Sequence, residues 1–155
     1  MGTRLLWVDD DCDGLLRPLE RILEKKGHFT VKKAATFVDA MRLLKDNNAA
    51  INTRFGALLV DVILPEGPFG GSLASDLGVQ FAEASISYGV SKIAFLTVVR
   101  QDEIIDRYVE LERSHPEVSF SYFDKTTLLS KGEIEELVSR LNGNHNEKGA
   151  SEDES

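Results

Sequence analysis

Apolar residues fall along this chain in two patterns: continuous runs of strand length, and sets spaced at helical intervals. Leu5-Leu6-Trp7-Val8 leads into Asp9-Asp10-Asp11 and predicts a buried first strand ending in acids. Leu15, Leu16, Leu19, Ile22 and Leu23 recur at helical spacing until Gly27, with Pro18 early in the helix, where a missing N–H matters least. Phe29-Thr30-Val31 predicts a second, weaker strand. Thr36 with Asp39 resembles a capping box before a helix carrying Phe37, Val38, Met41, Leu43 and Leu44. Ala57 to Leu64 is a nearly continuous apolar run broken only by Asp61, the pattern of a strand covered on both faces. Pro65 to Ser72 is rich in glycine and proline and reads as a loop, long for a strand-to-helix connection, either a tolerated insertion or a binding loop.

A helix is expected over Asp76 to Tyr88, with Leu77, Phe81, Ala84 and Ile86 as apolar contacts. Lys92 to Val99 predicts a fourth strand, and Asp102 to Arg113 a helix stopped by Pro116. Val118 to Phe123 predicts a fifth strand ending at Asp124-Lys125. Ser130 and Glu133 form a second capping-box pattern, before a helix with Ile134, Leu137, Val138 and Leu141. Five strands alternating with five helices imply an α/β, doubly wound parallel sheet. The flavodoxin-like order 2-1-3-4-5 is the natural choice, with its ligand crevice at the carboxyl ends of strands 1 and 3. One domain is expected over residues 1–141. Residues 142–155 are expected to be an acidic, disordered tail, with Glu147, Glu152, Asp153 and Glu154 against Lys148.

Composition narrows the function. At 155 residues the chain can bury one full core, and its net charge of −8 disfavours direct nucleic-acid binding. No apolar run approaches membrane-spanning length, and the N-terminus lacks a signal-peptide pattern. A single cysteine, Cys12, cannot form an internal disulfide, which fits a cytoplasmic location. Beside carboxylates Cys12 has no cause for a lowered pKa, so a reactive thiol is not expected. His28, His115 and His145 show no ligand spacing, and Trp7 is expected in the core near the acids.

In a parallel sheet the strand ends share one edge. That edge would gather Asp9 and Asp10 after strand 1, Asp61 in strand 3, Thr97 near the end of strand 4 and Lys125 after strand 5. Gathered carboxylates repel unless a cation neutralises them, and Mg²⁺ binds through one or two carboxylates while accepting phosphate oxygens. An aspartate can be a phosphoryl-accepting nucleophile, with a lysine and a hydroxyl stabilising the transferred group. Singly, each residue has a plainer explanation: Asp9 or Asp11 as a helix cap, Asp61 as a loop carboxylate, Thr97 as an ordinary strand residue, Lys125 as a surface lysine.

On these residues, over about 4 to 141, the sequence resembles a stand-alone response-regulator receiver domain of two-component signalling. The resemblance implies Asp10 as the main Mg²⁺ carboxylate with Asp9 assisting, Asp61 as phosphoacceptor and metal contact, and the Ile63 carbonyl as a further ligand. It implies Thr97 and Lys125 as phosphoryl contacts, and Tyr122 as the aromatic switch position beside Thr97, although Tyr122 serves equally as an ordinary strand aromatic. It further implies a histidine kinase or phosphotransfer protein as donor and a protein contact as output, with no enzyme activity beyond slow autodephosphorylation. Two residues depart from the family pattern. Val98 replaces a small residue and narrows access to Asp61, and Thr126 replaces a proline that follows the lysine in a cis bond. The loop after Pro65 is also long. Two other readings compete: a receiver-like interaction module that is never phosphorylated, and a haloacid-dehalogenase-like phosphatase using Asp9-x-Asp11. The latter needs a later acidic pair on a strand, whereas Glu133, Glu135 and Glu136 fall on an expected helix.

Overall fold

The structure is a computed structural model that describes residues 3–9, 17–48, 53–62, 64–67, 70–74, 77–97, 102–125, 127–128 and 132–142. Its strands are β1 Arg4–Val8, β2 Thr30–Ala34, β3 Ala57–Asp61, β4 Leu64–Gly67, β5 Gly70–Ala74, β6 Lys92–Thr97 and β7 Ser119–Asp124. Its helices are α1 Arg17–Lys26, α2 Phe37–Asp46, α3 Leu77–Ile86, α4 Asp102–Ser114 and α5 Ile134–Asn142. Five strands form one parallel sheet in the order β2-β1-β3-β6-β7, the expected 2-1-3-4-5 flavodoxin-like topology.

Alternation along the central strands builds a core on each face. Leu6, Val8, Leu58, Val60, Ile93 and Phe95 face Ala40 and Leu44 of α2, Phe81 of α3 and Leu111 of α4. Leu5, Trp7, Ala57, Leu59, Ala94 and Leu96 face Leu19 and Leu23 of α1 and Leu137 and Leu141 of α5. Every residue of β3 is buried, which is why its sequence reads as a run rather than an alternation. The edge strand β2 instead exposes Lys32 and Lys33, charges that discourage pairing with another sheet. Trp7 is fully buried, as expected.

The structure corrects four expectations. The stretch Pro65 to Ser72 is not a plain loop, because β4 and β5 pair as an antiparallel ribbon with an irregularity between Pro65 and Gly67. The third strand stops at Asp61 rather than Leu64, and Leu64 opens the ribbon. Val38 is 40% exposed, whereas the expected Leu44 is buried, Phe37, Met41 and Leu43 pack against the core, and Ala40 joins them. On α3 the expected Phe81 is buried and Leu77 and Ile86 pack against the core, but Ala84 is only half-buried and Gly78, Val79, Ala82 and Ser85 are buried beside them. The first capping pattern holds, with Thr36 Oγ1 accepting the Asp39 N–H at 3.1 Å. Of the second pattern, Ser130 lies outside the described residues, and α5 opens at Ile134, directly after Glu133. Leu15, Leu16 and the tail from 143 onward also lie outside them.

Candidate functional site

Parallel pairing carries three strand ends to one edge of the sheet. Asp9 directly follows β1 and is anchored by its N–H, which donates to the Ala34 carbonyl at 3.0 Å. Asp61 ends β3 opposite Leu96, and the next N–H, of Val62, donates to the Leu96 carbonyl at 3.1 Å. Lys125 follows β7, whose last residue, Asp124, pairs with Thr97. There the Lys125 ammonium donates to Asp9 Oδ1 at 2.8 Å and to Asp61 Oδ2 at 2.9 Å. The residues come from positions up to 116 apart in sequence and are all buried, with relative exposures of 0% for Asp9, 8% for Asp61 and 7% for Lys125.

The turn after β7 fixes where Lys125 can reach. The Asp124 carbonyl accepts the N–H groups of Thr127 at 3.2 Å and Leu128 at 3.0 Å, and the Leu128 side chain is fully buried in the α1–α5 core. Thr127 Oγ1 also donates to Glu133 Oε1 at 3.3 Å. Lys125 is thereby held by a hydrogen-bonded turn and an apolar anchor, while Thr126 itself lies outside the described residues.

Burial by itself would lower the Lys125 pKa. The hydrogen bonds and negative charges of Asp9 and Asp61 outweigh it and hold the ammonium above the ordinary lysine range. One ammonium facing two carboxylates leaves the cluster rich in oxygen donors, a setting that suits a hard divalent cation. Among the described residues no three acidic, histidine or cysteine side chains gather; Asp9 and Asp61 are the described pair, and Asp10 and Ile63 lie outside.

Sequence reasoning missed Gly78, the second residue of α3. Its N–H donates to the Val62 carbonyl at 2.8 Å, and a Cβ placed there would lie 2.0 Å from the Asp61 carbonyl oxygen and 2.7 Å from Val62 Cα. The helix therefore closes directly onto the backbone that carries Asp61, and only glycine permits it. A glycine inside an apolar helix pattern was the available signal.

A second missed residue is Tyr108 of α4. Its ring lies 4.9 Å from Phe95 and 4.6 Å from Tyr122, and Phe95 stacks on Tyr122 at 5.6 Å and on Phe120 at 6.3 Å. The Tyr122 hydroxyl donates to the Glu112 carboxylate, and Tyr122 is 39% exposed. Burial and then the Asp61 charge push the Tyr108 phenol up to about 12. Burial, then the bond to Glu112, raises Tyr122 further.

Of the expected site residues, the structure brings together Asp9, Asp61 and Lys125. It fixes Thr97 by its backbone at the end of β6 and places Tyr122 in the aromatic stack, outside the acid cluster. Asp10, Asp11, Cys12, Ile63 and Val98 lie outside the described residues. Glu135 and Glu136 are exposed in the first turn of α5, off the sheet edge, and supply no strand-borne acidic pair. His28 is exposed, and His115 lies 3.6 Å from Glu117 and 3.9 Å from Glu83 on the surface of the α3–α4 layer.

No protein-family model matches the sequence, and no curated protein matches it significantly. Solved structures do. The BeF3-activated N-terminal receiver domain of Klebsiella pneumoniae RstA aligns with TM-score 0.59 at 19% identity, over 90% of this chain and 98% of that one. A two-component response regulator from Clostridium difficile aligns with TM-score 0.57 at 19% identity, over 86% and 96%. The receiver domain of a Pseudomonas aeruginosa sensor histidine kinase, with magnesium coordinated in its active-site cleft, aligns with TM-score 0.57 at 15% identity, over 92% and 99%. A parallel sheet in 2-1-3-4-5 order and these full-length alignments agree: the chain has the fold of response-regulator receiver domains.

Proposed function

We propose that the chain is a phosphoacceptor receiver in a two-component or phosphorelay system, with residues 1–141 as its receiver domain. The observation that carries this reading is the Lys125 ammonium held between Asp9 and Asp61 at the carboxyl edge of the sheet. In this reading an Asp61 carboxylate oxygen attacks the phosphorus of a phosphohistidine on a kinase or phosphotransfer protein. The new P–O bond forms as the P–N bond breaks, and the electron pair leaves with the donor's imidazole. Lys125 is already bound to Asp61 and stabilises the charge on the transferred oxygens, with Thr97 as a further hydroxyl donor. The donor set suits Mg²⁺, which would be held by Asp9, Asp10, Asp61 and the Ile63 carbonyl and would neutralise phosphoryl charge when bound. The magnesium described in the Pseudomonas aeruginosa relative supports that assignment.

The protein is in this reading a signalling switch rather than an enzyme, located in the cytoplasm, with a protein contact as its output. Among the described residues no helix is long and apolar enough to cross a membrane. Tyr122 and Tyr108 form the surface whose packing would change, since both rings pack on Phe95 of β6, the strand that ends at Thr97. The test is intact-protein mass after incubation with acetyl phosphate. One phosphoryl adduct that requires both Mg²⁺ and Asp61 supports the reading. An adduct indifferent to Asp61→Asn removes it.

A further inference from the structure

The chain leaves the main sheet after Val62 and is pinned back to the same residue, where the Gly78 N–H donates to the Val62 carbonyl at 2.8 Å. Between these points β4 and β5 form a separate two-stranded ribbon, joined to neither edge of the five-stranded sheet. β4 packs on α2 and α3, and β5 lies beyond it with β4 as its main neighbour. The ladder between them is weak: Pro65 brings no N–H, and the register is irregular between Pro65 and Gly67. Two strands alone are a marginal unit in water, and β5 gains most from a further strand. Its edge is also unguarded. Open edges are commonly protected by charge or proline. β2 exposes Lys32 and Lys33, β7 ends at exposed Asp124, and β4 contains Pro65 and Glu66. β5, Gly70-Gly71-Ser72-Leu73-Ala74, has neither a charge nor a proline, and among the described residues it pairs with β4 alone.

We propose that β5 pairs antiparallel with β5 of a second copy of this chain, giving a four-stranded ribbon in the order β4-β5-β5-β4 across a twofold axis. The strand is complementary to itself. With Ser72 on the axis, Gly70 pairs with Ala74 and Gly71 with Leu73 across the axis, so no charge meets a like charge along the contact. The guarded edges cannot do this: a twofold pairing of β2 would bring its two lysines against those of the other copy, and one of β4 would lose the N–H of Pro65 twice. Away from the ribbon the two copies repel, since each carries a net charge of −8. The contact therefore strengthens as salt screens that repulsion, the opposite of an interface led by ion pairs. It uses neither Asp61 nor Lys125 and stands apart from the phosphoacceptor reading.

The test is sedimentation velocity on the full chain. The expected result is a 17.2 kDa monomer that gives way to a dimer as protein concentration rises, and more readily at higher salt. Ser72→Lys and Ser72→Glu should each stay monomeric, because either one sets like charges directly opposite each other on the axis. A one-to-one mixture of the two variants should restore the dimer, since the axis then holds an opposite-charge pair. Only a contact that puts residue 72 against itself gives that pattern, and the amide spectrum of each variant checks that its fold is kept. A wild-type chain that stays monomeric up to about 1 mM overturns the proposal. So does a dimer that survives either single charge, which places the contact elsewhere, or a mixture that stays monomeric.

Discussion

The acid cluster and the aromatic face of α4 and β7 adjoin each other but are built on opposite principles. Asp9, Asp61 and Lys125 are buried, and each is fixed by a strand end or a hydrogen-bonded turn. Tyr108, Tyr122 and Glu112 sit half in solvent, held by ring stacking and one hydroxyl bond. Fixed dipoles and charges suit chemistry that consists mainly of positioning. A half-exposed surface held by ring stacking and one hydroxyl bond has fewer contacts to lose on rearranging than the buried cluster has.

The contrast can be broken by mutation. Lys125→Met removes the ammonium that two buried carboxylates share, so unfolding in urea should show a loss of about 3–5 kcal/mol; near-wild-type stability would mean that water already reaches the cluster. Raising Mg²⁺ should recover part of that loss. Gly78→Ala forces α3 and the end of β3 apart, with an expected cost of about 1–3 kcal/mol. It should also slow phosphorylation of Asp61, and a rate unchanged at that stability would show that α3 does not set the position of Asp61. Thr36→Ala, which removes the cap on α2, should lose about 1 kcal/mol in urea unfolding. Tyr122→Phe should cost least, about 0.5 kcal/mol, the low end for a hydrogen bond, because its hydroxyl bond is exposed.

Alkaline titration sharpens the same comparison. Tyr108 keeps its proton to about 12 in the fold, whereas an unfolded tyrosine loses it near about 10. Between those values the unfolded chain binds fewer protons than the folded one, so stability falls as pH rises through this window. Lys125, also raised, acts in the same direction. Phenolate absorbance should show the late tyrosines, and Asp61→Asn should bring Tyr108 down by removing the nearby charge. A Tyr108 titration unmoved by that substitution would separate the two regions electrostatically.

Much of this was legible because parallel strands buried on both faces leave uninterrupted apolar runs. The acid cluster was legible because Asp9 and Lys125 follow apolar strand-length runs and Asp61 is the one charge inside another. The end of β3 was not, since Val62-Ile63-Leu64 continues the apolar pattern and the strand is closed by α3 pressing Gly78 onto its backbone. The β4–β5 ribbon was misread because Gly67, Gly70 and Gly71 carry turn signals even where they pair. Tyr108 and Val109 look equivalent in a helical pattern, and only the placement of Phe95 and Tyr122 makes one a partner and leaves the other 47% exposed.

The most direct test of the central claim is chemical location of the phosphoryl group. After phosphorylation with Mg²⁺, borohydride reduces an aspartyl phosphate to homoserine, which peptide mass spectrometry can place. Homoserine at position 61, absent without Mg²⁺ and absent from Lys125→Met at matched folding, is the predicted result. Reduction at Asp9 or Asp10, or a phosphoryl group on another residue type, would contradict it.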